Sequence, residues 1–386
     1  MTDRSTGVLL AIVLFVVTTG VNLHAPLYAA YASIDGYGTM ATTTAFASYV
    51  AGVMPVLLCL GGLSDRIGRR PVMAISVALS ASGTLIMLVA PHLLALAAAR
   101  FLLGVGTALM SSTAAAYMAE LLGSRCAVAA NNWVTASTSL GFGIGPALTS
   151  ATLLLGKSLT PPSLLVHVAL TTLAAVIVWR LPETRRPSRL GNTSPMLRMP
   201  LFTAEVMWFG GAILLCWATT GVVISILPAV LARNDLASYA GLSTMLSVSC
   251  GLLFQPLARR LSARRSTLLG LAILVPSYTL LAWGATRGDL LAVAVGALAV
   301  SSACYGFVYL GGLSGATAGV GTEKARASAG FFLFAYTGFS VPVVCTGLVA
   351  DVYGQTAAMS ALGAFIAFGT VLLFSIHHLH RTSVEA

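Results

Sequence analysis

Apolar runs of roughly twenty residues or more recur from one end of this 386-residue chain to the other, separated by short polar loops. A helix of about 20 apolar residues crosses the hydrocarbon layer of a bilayer. Only helices and closed barrels can do so, because every backbone polar group must find its partner inside the protein. The runs are long enough for helices, and the weak alternation of a membrane barrel is absent. With 57% hydrophobic and only 8% charged residues, a soluble core-and-surface partition is excluded. The chain reads as an all-α integral membrane protein.

Spans are expected at 7–30, 40–63, 72–90, 94–119, 128–155 and 162–181, then at 205–231, 238–258, 267–285, 290–317, 328–350 and 355–376. The first could be mistaken for a secretory signal, since Arg4, an apolar run and small residues at 29–32 follow one another. That run is longer than a usual signal core, and removing it leaves an odd number of spans. A polar stretch at 182–203, rich in Pro, Ser and Arg, divides an N-terminal six-helix bundle (1–181) from a C-terminal one (204–386). The expected fold is twelve transmembrane helices in two pseudo-symmetric bundles. The halves echo each other: LSDRIGRRP at 63–71 returns as LARRLSARR at 257–265, and Gly141, Phe142 and Pro146 return as Gly338, Phe339 and Pro342. Duplicated membrane halves enclose a site that opens alternately to each side, so a transporter is the natural reading.

Charge fixes the expected orientation. The net charge is +10, yet the 21 Lys and Arg are spread over short loops, which argues for loop topology and against nucleic acid. With both termini in the cytoplasm, only Lys157, Arg233 and Arg287 fall outside, and Arg100 lies within a span. A bacterial-type inner membrane is the expected location. Of the six cysteines, Cys59, Cys216, Cys250, Cys304 and Cys345 sit in apolar runs and Cys126 in a loop. None has metal-ligand spacing, so they read as packing residues and no metal is expected. No phosphate-cradling loop and no nucleophile with a base is evident, which disfavours ATP hydrolysis and an intramembrane enzyme. No cofactor is expected.

The loop at 61–71, GGLSDRIGRRP, resembles the signature of the major facilitator superfamily, written G-x-L-a-D-r-x-G-r-k, through Gly61, Leu63, Asp65, Arg66, Gly68, Arg69 and Arg70. The resemblance implies a charge relay of Asp65 and Arg69 with an acid ending the fourth span, here Glu120, that latches one state of the transport cycle. Arg66 and Arg70 equally obey the positive-inside rule. RFLLGVG at 100–106 is similar to that family's R-x-x-x-G-x-G motif through Arg100, Gly104 and Gly106, and implies a part for Arg100 in proton transfer. On its own chemistry, a central Arg costs about 2.5–3.5 kcal/mol and must face a wet cavity or a partner, or else snorkel to the interface near Pro91 and His92. GFGIGP in the fifth span resembles the G-x-x-x-G-P motif of the drug:proton antiporter branch through Gly141, Gly145 and Pro146. Asn132, Thr149 and Ser150 replace its flanking glycines, and small residues at this spacing also serve helix packing alone.

That branch often carries an acid in the first span, where this chain has Asn22, His24, Pro26 and Tyr28. His24 is then the candidate proton carrier, with a neutral, hydrogen-bonded imidazole as the alternative. His167 is expected to be structural, and His377, His378 and His380 a solvated end. Candidate cavity residues are Asn22, Tyr28, Tyr49, Trp133, Trp217, Thr220, Tyr305, Tyr309, Phe334 and Tyr336, an aromatic, acid-poor set suited to a bulky amphipathic compound. The expected activity is proton-coupled efflux of such a compound by a monomer in the bilayer, in the manner of multidrug resistance exporters. The alternatives are an importer or facilitator for an anionic metabolite, and a membrane protein without transport.

Overall fold

The computed structural model describes residues 3–122, 127–184 and 199–385, and all the regular structure in them is helical. In chain order the helices are α1 (Asp3–Asn22), α2 (Tyr28–Ile34), α3 (Thr39–Cys59), α4 (Leu63–Ile67), α5 (Arg69–Val89), α6 (Leu93–Leu122), α7 (Ala127–Leu153) and α8 (Pro162–Arg180). After them come α9 (Ala204–Ser225), α10 (Leu227–Ala232), α11 (Ala240–Ser249), α12 (Gln255–Ala258), α13 (Ala263–Arg287), α14 (Leu290–Ser301), α15 (Tyr309–Ala316), α16 (Lys324–Tyr353) and α17 (Gln355–Glu385). Arg125, Cys126, Arg185, Arg186, Arg189 and Arg198 lie outside the described residues, as do the side chains of Arg4, His380 and Arg381.

Eleven segments among the described residues are long and apolar enough to cross a membrane. The expected fifth span forms as the unbroken helix α7 but is not one of the eleven. Asn131, Asn132 and a run of Ser, Thr and Gly dilute its apolar content. Other differences from the expected spans are local. The first is broken between Asn22 and Tyr28, where Pro26 has no N–H to give and a short 3-10 turn, Ala25–Leu27, replaces the ladder. The second stops at Cys59, and the tenth contains a π-helical stretch, Ser302–Val308, between α14 and α15.

Two compact units form, residues 1–37 with 44–198 and residues 38–43 with 199–386. In the first, α1 packs on α6, α7 and α8, and α5 on α6 and α8. Its core joins Leu10, Leu14 and Val17 of α1 to Met73 and Val77 of α5, Met110 and Tyr117 of α6 and Val178 of α8. Small residues set the spacing. A Cβ on Gly141 would stand 2.7 Å from the Phe15 carbonyl oxygen, and one on Gly145 would strike that of Thr19. In the second unit α16 lies on α9 in the same manner, with Gly338 against the Leu214 carbonyl. The sequence echo between the halves is thus an echo in packing.

Candidate functional site

The break in the first span makes the most unusual environment in the first unit. Leu27 N–H donates to the His24 carbonyl (2.9 Å), and the Val21 carbonyl at the helix end accepts from Arg100 Nη1 of α6 (2.6 Å). Arg100 Nε and Nη2 both donate to the Phe46 carbonyl (3.3 Å each). Three of the five guanidinium N–H groups are thereby used. The guanidinium carbon lies 4.5 Å from the Phe46 ring centre and 4.8 Å from that of Tyr49, an arrangement worth about 2 kcal/mol when desolvated. Arg100 is 0% exposed, so it does not snorkel outward, and among the described residues no acid pairs with it. A cation at a helix C-terminus also complements the helix dipole.

Around this charge, buried polar atoms stand bare. His24 is 0% exposed and, among the described residues, neither ring nitrogen has a hydrogen-bond partner. Tyr28 Oη and Asn22 Oδ1 are also buried without partners, although Asn22 Nδ2 donates to the Phe142 carbonyl of α7 (3.1 Å). Buried polar groups are nearly always satisfied, so three unsatisfied ones within seven residues single out this break as a candidate site. The alternative reading of His24 is a neutral, hydrogen-bonded imidazole. That description fits His167: Nδ1 lies 2.8 Å from the Thr84 hydroxyl and Nε2–H donates to the Val16 carbonyl (3.1 Å), so the ring joins three helices.

At the opposite end of the unit the signature loop closes into a knot. Arg69 Nη2 meets Glu120 Oε1 at 2.6 Å and Asp65 Oδ1 at 2.8 Å, Nε reaches Glu120 Oε2 at 3.3 Å, and Nη1 donates to Ser64 Oγ at 2.6 Å. Asp65, Arg69 and Glu120, which the family resemblance groups, lie together here. Gly61 lies just before α4, and Gly68 turns the chain into α5 with φ of 101°, where a Cβ would stand 2.8 Å from Glu183 Oε2. Glu183 was missed in the sequence. Its carboxylate accepts from the N–H groups of Arg69 (2.9 Å) and Arg70 (3.0 Å), capping the start of α5. An acid standing next to the sixth span, in a loop otherwise full of arginines, was the available signal.

The second unit repeats this only in part. Arg264, in the echoed loop, pairs with Glu205 of α9 (2.6 Å) while 34% exposed, against 4% for Arg69. The expected solvated histidine end is corrected at His377, which is half-buried beside Arg264 (3.4 Å) and the Trp208 ring (6.0 Å between centres). Trp217, Tyr336 and Tyr309 gather within this unit through Phe332, and Tyr305 lies beside the buried Thr220, whose hydroxyl donates to the Cys216 carbonyl (3.1 Å). Phe334 stands aside, against Gly210 and Phe202. Trp133 is 45% exposed on α7 and joins neither cluster. The cysteines are not uniformly packing residues, since Cys59 and Cys345 are exposed.

A family model described as Major Facilitator Superfamily matches residues 10–341. Among solved structures, the nucleoside transporter NupG superposes with a TM-score of 0.80 at 14% identity, covering 96% of this chain and 99% of that one. The human organic anion transporter MFSD10 (TETRAN) gives 0.65 at 18% identity, covering 97% and 100%. A bacterial homologue of the human lysosomal transporter Spinster gives 0.75 at 13% identity, covering 96% of each. At these identities the structures establish a shared fold.

Proposed function

The chain belongs to the Major Facilitator Superfamily and is a secondary transporter, and from that premise we propose that it exports a small amphipathic compound in exchange for protons. His24 carries the proton and Arg100 is the fixed charge beside it. The broken first span carries this reading: a fully buried imidazole whose two nitrogens have no partner among the described residues, next to a guanidinium that pairs with no acid among them. Imidazole changes charge near neutral pH. A neutral ring nitrogen accepts a hydrogen bond from a hydroxyl or amide of the cargo, and a proton on that nitrogen removes the acceptor. Cargo and proton then compete, as exchange requires. Arg100 repels cationic cargo, so the preferred compound is neutral. Asp65, Arg69 and Glu120, with Gly61 and Gly68, act as the conformational latch, and Gly141, Gly145 and Pro146 hold α7 on the broken span. The protein works as a monomer in a bacterial-type inner membrane, both termini cytoplasmic.

Arg100 is a buried cation paired with no acid among the described residues, and that favours one second reading. An anion seated there would be attracted further by a protonated His24, so anion and proton would travel inward together.

Everted vesicles with an acid interior separate the two. Under the exporter reading, adding neutral hydrogen-bond donors alkalinises the interior, and His24→Gln and Arg100→Ala abolish the response. Acidification on adding anions, with silence toward neutral compounds, would transfer the reading to the second. Full proton-driven flux in His24→Gln would remove His24 as carrier under both.

A further inference from the structure

A line of five rings runs through the second unit: Phe339, Trp217, Tyr336, Phe332 and Tyr309. Trp217 of α9 stands edge-to-face on Tyr336 (5.0 Å, 89°) and on Phe339 (5.6 Å, 65°). Tyr336 continues to Phe332 (6.4 Å, 36°) and Phe332 to Tyr309 (6.4 Å, 53°). Residues 332, 336 and 339 share one face of α16 by helical spacing. The close approach of Gly338 to Leu214 brings that face onto Trp217.

The tenth span adds its tyrosines through an irregularity. In the π-helical stretch Ser302–Val308 the Tyr305 carbonyl accepts from Gln255 Nε2 (3.3 Å) and the Phe307 carbonyl from Ser266 Oγ (2.9 Å). The neighbouring span is distorted opposite it, in the 3-10 turn Cys250–Phe254, where Gly251 N–H donates to Ser301 Oγ (2.7 Å). Isolated π turns within helices are found most often at functional positions.

Trp217, Tyr305, Tyr309, Phe332 and Tyr336 are all half-buried rather than sealed in the core. Trp and Tyr that anchor a protein in the bilayer belong at span ends, where the polar tip reaches water. These lie at mid-span, where a phenol or indole N–H turned toward hydrocarbon is costly. The Trp217 indole nitrogen is itself buried and has no hydrogen-bond acceptor among the described residues, an unsatisfied donor within the aromatic wall.

We propose that this wall is a binding subsite of the second unit for a planar aromatic or heteroaromatic ring bearing an oxygen acceptor. The ring lies against Tyr336, Phe332 and Tyr309, and its oxygen takes the Trp217 N–H. This deepens the proposed function by naming the cargo class as aromatic, and rests on that reading only in taking the ligand to be the cargo. Aromatic rings favour offset and edge-to-face neighbours over saturated groups of equal size, and several such contacts add up.

The test compares 2-naphthol with decahydro-2-naphthol, which share a carbon skeleton and a hydroxyl but differ in aromaticity and planarity. Binding is measured by calorimetry on the full-length protein in nanodiscs, without a proton gradient and against empty nanodiscs. Wild type should bind the aromatic probe about five- to tenfold tighter. Tyr336→Leu and Phe332→Leu should bring the ratio toward one, whereas Trp217→Phe, which keeps a ring and drops the N–H, should weaken both probes alike. Equal affinities in wild type, a ratio preserved in both leucine variants, or no binding of either probe would overturn the subsite. Loss of proton-coupled flux in His24→Gln leaves this ratio untouched, so failure of coupling and failure of the subsite are distinguishable.

Discussion

Arg69 gathers four side-chain oxygens from Ser64, Asp65 and Glu120 while its own backbone N–H is held by Glu183. The same acid holds the N–H of Arg70, whose side chain reaches back to the Trp179 carbonyl (2.5 Å) and lies over the Trp179 ring. Arg69→Ala should lower stability by about 1–3 kcal/mol, less than breaking a wholly buried pair because Glu120 is 30% exposed. Glu183→Ala should cost about 1 kcal/mol by removing the cap, while Glu183→Gln keeps an acceptor oxygen and should recover most of it. Melting of the purified protein in detergent checks both; an Ala variant at position 183 as stable as wild type would leave the cap without weight. The Asp65, Arg69 and Glu120 grouping was legible in the sequence because the family spacing carries it. Glu183 was not, because its role exists only once α8 has returned to the start of α5. His24 was legible as a titratable residue in an apolar span, but its bare nitrogens depend on what α6 and α7 fail to offer it.

Among the elements, Pro26 announced trouble in the first span, though the position and depth of the break follow from Arg100 taking the freed Val21 carbonyl. The π-helical stretch had no such signal. It depends on Gln255 and Ser266 reaching displaced carbonyls from two other segments. Glycines are intermediate: GFGIGP predicted close packing, and α7 lies against α1 through Gly141 and Gly145. Gly145→Ala would drive a methyl into the Thr19 carbonyl and Gly338→Ala into that of Leu214, backbone atoms that cannot swing aside. Each should destabilise its unit by about 1–3 kcal/mol. Gly156→Ala, where an added Cβ meets nothing within 4 Å, is the control and should melt like wild type. Equal melting of all three would mean that glycine at 145 and 338 answers to something other than contact between helices.

At the scale of the whole molecule, each unit collects its basic loops at one end. In the first, Glu183 on Arg69 and Arg70 ties the loop after α4 to the end of α8, while Asp35 accepts from the Leu93 N–H (2.9 Å) and ties together two loops at the other end. In the second, Arg264 joins the start of α13 to Glu205 of α9 and His377 of α17, while Asn234 Nδ2 donates to the Ala285 carbonyl (2.9 Å) and ties the loop after α10 to the far end of α13. Lys157, Arg233 and Arg287 are the loop cations that fall at the Asp35 and Asn234 ends. Basic loops remain in the cytoplasm, so the ends bearing Arg69 and Arg264 should both be cytoplasmic. A protease site inserted after Ser188, in the polar connector, should be cut by enzyme added to everted vesicles and spared in right-side-out ones. The same site after Ser158 should behave in the opposite way. If both sites were cut from the same side, the loop between α7 and α8 would lie on the face of the connector. Helix α8 would then not cross the membrane, and the first unit would have an odd number of spans.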